Sequence, residues 1–294
     1  MSRLPREEER KNMIIRTTLL LASITGLFLA MGYLIGGQSG MVMGFMLSMV
    51  MNVGSYWFSD SIVLSMHGAK PISKGKIGDA VYRDVVELAA RAEIPTPRVY
   101  VYQDTVPNAF ATGRDPDHSI VAFSSGILER LSHSELRGVI AHELAHIKNR
   151  DMLVSTIAAT FAGAISMLAQ MGYGMFGSGR DDEHRNPFIG IVVMLIAPIT
   201  ATLIHMAVSR TREYGADEEG ARISGDPLGL ASALSSIHAS MPKGRVAQAL
   251  ADDPMRQSFS HMYIFGFDGG SLSQLFSTHP PVDERIKRLR AMHI

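Results

Sequence analysis

The sequence predicts a mainly α-helical, membrane-embedded chain. Four apolar spans carry a soluble α+β unit, and the second pair of spans divides that unit in two. Three observations predict this. Long charge-free stretches cover residues 17–59, 152–179 and 186–209. Between them lies a mixed region with both strand and helix periodicity, centred on His142-Glu143-Leu144-Ala145-His146. The basic residues crowd to one side of the spans.

The composition agrees. Mean hydropathy is +0.11, high for a soluble protein, and the apolar character comes in blocks. The 28 basic and 28 acidic residues cancel, which offers nothing to nucleic acid. Cysteine is absent, so disulfides and thiolate chemistry are excluded and any metal must be held by His, Asp or Glu.

Residues 1–16 form a polar tail with Arg3, Arg6, Arg10, Lys11 and Arg16. As one helix, residues 17–59 would be about 65 Å long, roughly twice the hydrocarbon thickness of a bilayer. Gly36-Gly37-Gln38-Ser39-Gly40 supplies the break, giving spans at 17–35 and 41–59 joined by a tight turn. Glycines 32, 36, 40 and 44 recur every fourth residue. Near the break they read as turn formers, and elsewhere they would let two helices pack closely. Met41, Met43, Met46, Met49 and Met51 read as lipid-facing or packing side chains.

Residues 60–151 form the first part of the soluble unit. A Gly/Pro/Lys linker at 67–78 leads to an amphipathic helix near 79–93, with Val81, Val85, Leu88, Ala89 and Ala92 on one face. Pro95 and Pro97 end it. Strands follow at 99–102, 108–111 and 119–123. Ser132 and Glu135 make a capping-box pattern that starts the next helix. On it His142 and His146 share one face, a turn apart, a spacing that suits one Zn²⁺. Glu143 stands beside them as a base for a polarised water. Val139, Ile140, Leu144 and Ile147 make the surroundings apolar.

Residues 152–209 carry the third and fourth spans around the polar loop 180–185. The third span could run on from the histidine helix, and Pro198 would kink the fourth. Positive-inside counting puts both termini, and the histidine helix, on the cytoplasmic side. Residues 210–294 form the second part of the soluble unit, with helices near 212–224, 227–239 and 283–292. Residues 240–278 show weak periodicity and receive no assignment.

The third metal ligand is open between Glu213 and His205. Glu213 leads, because it follows span four on the same side as His142 and His146. Asp217, at i+4, can take the second N–H of a ligating imidazole. His279 is a candidate fourth group. Asn149 and Met152 stand where a metzincin needs Gly and His, so that class is excluded. Lys148, Arg150 and Asp151 follow the motif directly, which argues against a site within a span. No Leu-Asp-Gly motif appears either.

These motifs carry a resemblance. His142-Glu143-Leu144-Ala145-His146, Asn108-Ala109-Phe110-Ala111, the stretch Arg212 to Asp217 and Thr278 to Arg285 occur in this order among four spans. The chain resembles the HtpX family of membrane zinc metalloproteases, related to the CAAX prenyl protease. The resemblance implies a zincin-type, gluzincin-like catalytic domain on the cytoplasmic side of the cytoplasmic membrane. It implies one Zn²⁺ held by His142, His146 and Glu213, with Glu143 as general base. Asn108 and Ala109 would lie by the substrate cleft, while His279 and Arg285 would assist the tetrahedral intermediate. It further implies polypeptide substrates, damaged or misassembled membrane proteins in particular, a stress-response role and a functional link to other membrane proteases. The competing reading is a non-catalytic membrane scaffold with a structural zinc. A fourth protein ligand would favour that scaffold.

Overall fold

The computed structural model describes residues 4–157, 161, 210–241 and 280–294. The first helix, α1 (Leu4–Met66), is broken at Gly36 and Gly37, where Gly37 takes φ 58° and ψ −140°. It is therefore two helices folded back as a hairpin. The turn is tighter than the sequence suggested, with two residues in place of five. A Cβ on Gly32 would run into the Gly40 backbone, and one on Gly44 into that of Phe28. These glycines are thus packing residues as well as turn formers. Further along, Asn52 Nδ2 donates to Thr25 Oγ1 at 2.9 Å and ties the two arms together. Each arm holds a stretch long and apolar enough to cross a membrane, Thr17–Leu34 and Gly36–Phe58. Met43, Met46 and Met49 point outward from the hairpin, as lipid-facing methionines would. The expected third and fourth spans fall almost wholly outside the described residues, as do His205 and the unassigned stretch to residue 278.

After α1 the chain forms a four-stranded sheet. Its strands are β1 (Lys70–Pro71), β2 (Arg98–Tyr102), β3 (Ala109–Gly113) and β4 (Ser119–Ser124), in the order β1-β2-β4-β3. β2 and β4 are parallel and both outer pairings are antiparallel. β4 is buried along its whole length, which explains its near-continuous apolar run. β3 is an edge strand. The short β1 lies in the segment read from the sequence as linker.

Helix α2 (Lys76–Ala92) precedes β2, and α3 (Ser125–Arg130) and α4 (His133–Lys148) follow β4. The second part contributes α5 (Arg210–Ser224), α6 (Pro227–Ser240) and α7 (Val282–Arg290). One sheet face, with Val99, Ala109, Ala111, Val121 and Phe123, lies against α4 and shares one core with α2, α5 and α6. The other, with Tyr102, Phe110, Ile120 and Ala122, packs on Val63 and Leu64 at the end of α1. Each buried aliphatic or aromatic side chain there contributes about 1.5–3 kcal/mol. The membrane hairpin therefore supplies part of the sheet's own core.

α4 does not run on into residue 152. Asn149 caps it and Arg150 takes φ 58°, a left-handed residue that turns the chain before helix resumes at 152–157. Leu153, Val154 and Ile157 then pack with Ile24 of the hairpin.

Candidate functional site

The site is built on two crossing helices. α4 begins at the predicted capping box: Ser132 Oγ accepts from Glu135 N–H, and Glu135 Oε2 accepts from Ser132 N–H at 2.9 Å. Two and three turns later His142 and His146 present their rings to the same side, with centroids 4.8 Å apart and planes at 86°. α5 presses against them at Gly220, where an added Cβ would lie 2.9 Å from the His142 backbone N and Cα. That close approach, one turn beyond Asp217 and two beyond Glu213, brings both acids onto the histidines. Gly220 had no visible role in the sequence, where a glycine inside a helix reads as a weak point.

The donor atoms of His142, His146 and Glu213 all lie within 4.8 Å of one another. Glu213 Oε2 is 3.8 Å from His142 Nε2, and Oε1 is 3.6 Å from His146 Nε2. Donors around a tetrahedral Zn²⁺ at its usual bond lengths stand about 3.3 Å apart, so the set fits zinc with a small contraction. Among the described residues, two imidazoles and one carboxylate make up the set, the ligand number of a catalytic zinc site.

Each imidazole has its own carboxylate behind it. Asp217 Oδ1 lies 3.1 Å from His142 Nδ1, off the line of a straight hydrogen bond, so that this buried nitrogen has no well-aligned partner. Asp151 Oδ2 lies 3.3 Å from His146 Nδ1. Asp151 was read from the sequence only as a charge marking the membrane interface. Its i+5 spacing gives no helical signal, and the left-handed Arg150 is what returns it to the ring.

The electrostatics suit a cation. Burial lowers the pKa of His142, opposed by Asp217. For His146 burial acts in the same sense but is outweighed by Asp151 and Glu213, which push it up to about 9. Metal binding must displace that proton. Glu143 is 4% exposed, and burial, with help from Glu213, raises its carboxyl to about 7 against the pull of His146. The Ala111 backbone N–H on β3 pulls it down as well. The base candidate thus sits between the metal ligands and the edge strand.

Arg285 and Asn108 each have charged or polar partners. Arg285, on α7, is fully buried and lies against the ligand set. Its Nε and Nη2 donate to both oxygens of Asp217 at 2.8 and 2.7 Å, and Nη1 is 3.5 Å from Glu213 Oε2. Burial opposes its charge, but Asp217 and Glu213 outweigh burial and raise its pKa. Its Nη2 also lies 3.5 Å from His142 Nε2, a nitrogen of the donor set. Asn108 is buried too, and its Nδ2 donates to the Tyr102 hydroxyl at 3.0 Å, within the cluster on the sheet face away from α4. Ala109 lies on the α4 face. His279 falls outside the described residues.

The chain is similar to known peptidases. Peptidase family M48 matches residues 79–293. A protease HtpX homolog of Syntrophobacter fumaroxidans is 48% identical over 287 residues, covering 94% of this chain and 98% of the relative. One from Burkholderia thailandensis is 50% identical over 280 residues, covering 95% and 96%. The crystal structure of S. mikatae Ste24p aligns with a TM-score of 0.46 at 17% identity, over 96% of this chain and 66% of that one. On the sequence matches, the chain belongs to peptidase family M48 and is a zinc metalloprotease.

Proposed function

We propose that this enzyme is an endopeptidase of the cytoplasmic membrane that cuts misfolded or damaged membrane proteins on the cytoplasmic side. The observation that carries the reading is Glu143, a buried carboxylate set between a three-donor metal cluster and the edge strand β3. His142, His146 and Glu213 hold the zinc. Bound there, zinc supplies Lewis acidity toward a water and the scissile carbonyl. Glu143 takes the proton from that water and later delivers it to the leaving amine.

Asp217 and Asp151 hold the imidazoles with Nε2 toward the metal. Arg285 acts as a positioning residue, fixing Asp217 with two charge-assisted hydrogen bonds. Asn108, through Tyr102, anchors the entry to β3. His279 is the donor to the developing oxyanion. An extended substrate pairs with the outer edge of β3, where Ala109 and Ala111 line the α4 side. The catalytic domain comprises residues 60–151 and 210–294, with spans at 17–59 and 152–209, and both termini are cytoplasmic. The basic tail and the lysines after span two support that orientation.

The test is hydrolysis of unfolded casein by detergent-purified, zinc-loaded enzyme beside Glu143→Gln. The variant should keep one zinc per chain while its rate falls by about 10²–10⁴-fold. If both proteins hold zinc and neither cuts, the reading gives way to a structural zinc in a membrane scaffold.

A further inference from the structure

The direction of β3 relative to the bilayer assigns a polarity to the substrate. Three contacts fix that direction. Phe110, the second residue of β3, packs in one cluster with Val63 and Leu64 near the end of α1. Arg114, just after β3, lies over the Trp57 ring, its Cζ 4.9 Å from the centroid. Arg98, at the start of the oppositely directed β2, pairs with Asp60 at 3.0 Å. Trp57 and Asp60 flank the end of the apolar stretch Gly36–Phe58, and Trp57 is 52% exposed. An indole at that position belongs at the headgroup level.

The lengths agree. From Trp57 to Leu64 the helix rises about 10 Å, and from Phe110 to Arg114 a strand covers about 13 Å. β3 therefore runs antiparallel to the membrane helix. It starts away from the bilayer and ends on its surface at Arg114.

The outer edge of β3 follows from its pairing. Ser124 N–H donates to Asn108 C=O, and Phe110 and Thr112 lie opposite Ala122 and Ile120. In that ladder Ala109, Ala111 and Gly113 turn their N–H and C=O away from β4. The strand is buried along its length, Ala111 at 8% being the least so of residues 109–112. A peptide added to this edge in the antiparallel sense, the better-bonded arrangement, has its N-terminal side at Arg114 and its C-terminal side away from the membrane.

We infer that the preferred substrate is a polypeptide whose membrane anchor lies N-terminal to the cut bond. It is a segment that follows a membrane span rather than one that precedes it. The distance from Arg114 back to Ala111, about 10 Å of strand, sets how close to the membrane the cut falls. This rests on the endopeptidase reading above and on the α1 hairpin crossing the bilayer.

The experiment uses the full-length zinc-loaded enzyme in phosphatidylcholine vesicles. One fluorogenic peptide is presented in three forms: acylated at its N-terminus, acylated at its C-terminus and without an anchor. Both anchored forms carry the same flexible spacer. The N-terminal anchor should raise kcat/KM at least about tenfold over the C-terminal one, because tethering helps only when its geometry allows simultaneous engagement. If the free peptide is cut but the C-anchored form is cut as fast as the N-anchored form, or faster, the polarity is overturned and the endopeptidase reading stands. If the zinc-loaded enzyme cuts none of the three, nor casein, the endopeptidase reading fails and the polarity fails with it.

Discussion

At the residue scale the metal site depends on charges that do not touch the metal. Asp217 faces His142 Nδ1 on one side and a fully buried guanidinium on the other. Burial works to raise its pKa, but Arg285 and then His142 outweigh burial and hold the carboxyl below the usual range, so Asp217 stays ionised. Replacing it with Asn keeps the shape and removes the charge. Arg285 then has Glu213 as its nearest anion, 3.5 Å away, and competes with the metal for it. Asp217→Asn should therefore weaken zinc binding by about 10–100-fold while the protein keeps its helical content. Competition against a chelator of known affinity measures the first, and circular dichroism the second. Unchanged zinc affinity in a folded variant would remove Asp217 from the positioning role. The two histidines and Glu143 were legible from helical spacing, whereas Glu213, with Asp217 at i+4, was picked out by its place after span four. Asp151 and the placement of Arg285 were not, because a left-handed turn and a distant helix bring them in.

At the element scale the question is what holds α4 in place. Glu135 does more there than complete a capping box. Its Oε1 accepts from Ser232 and Ser236 on α6, both at 2.7 Å, so one carboxylate fastens the start of the histidine helix to its neighbour. Burial works to raise its pKa, but these hydroxyls and the Ser132 N–H outweigh burial and lower it from 4.5 to about 2. The sign follows from the depression. The folded state favours the ionised form, so the stabilisation is complete above about 4.5 and is lost as pH falls through about 2. Zinc-free wild type should therefore unfold at a higher temperature than Glu135→Gln at pH 7. The gap should close as pH falls from about 4.5 to about 2. Calorimetry of the two proteins across that range checks it, and a gap independent of pH would sink the assignment. The capping box was readable because it is local. The serines on α6 were not, since no pattern within one helix reveals which residues of another it meets. Strand positions held to within a residue or two for the same local reason. Order within the sheet, with β3 at the edge, needed the fold.

For the whole molecule the described structure joins membrane and catalytic parts at two places. Val63 and Leu64 extend the second arm of the hairpin into the sheet's core. Ile24 of the first arm packs with Leu153, Val154 and Ile157 just after the active-site helix. Thr112 on β3 also bonds Thr156 at 3.0 Å, with both side chains fully buried. A domain boundary drawn at residue 60, where the charge-free run ends, is visible in composition but does not cut the packing. Hydropathy reports where lipid is tolerated and says nothing about where a core begins. This predicts that the catalytic unit loses stability when the end of α1 is changed, although the metal ligands lie on other helices. Replacing Val63 and Leu64 together by Ala removes about 3–6 kcal/mol of packing from the sheet. Leu34, 73% exposed near the hairpin turn, serves as the comparison. Leu34→Ala shortens an apolar side chain of the same hairpin without touching the sheet. Heating the detergent-purified proteins and following zinc release should show the double variant letting go of metal at a lower temperature, with Leu34→Ala close to wild type. Equal release temperatures for all three would mean that the hairpin is only an anchor, and that the sheet holds the site without it.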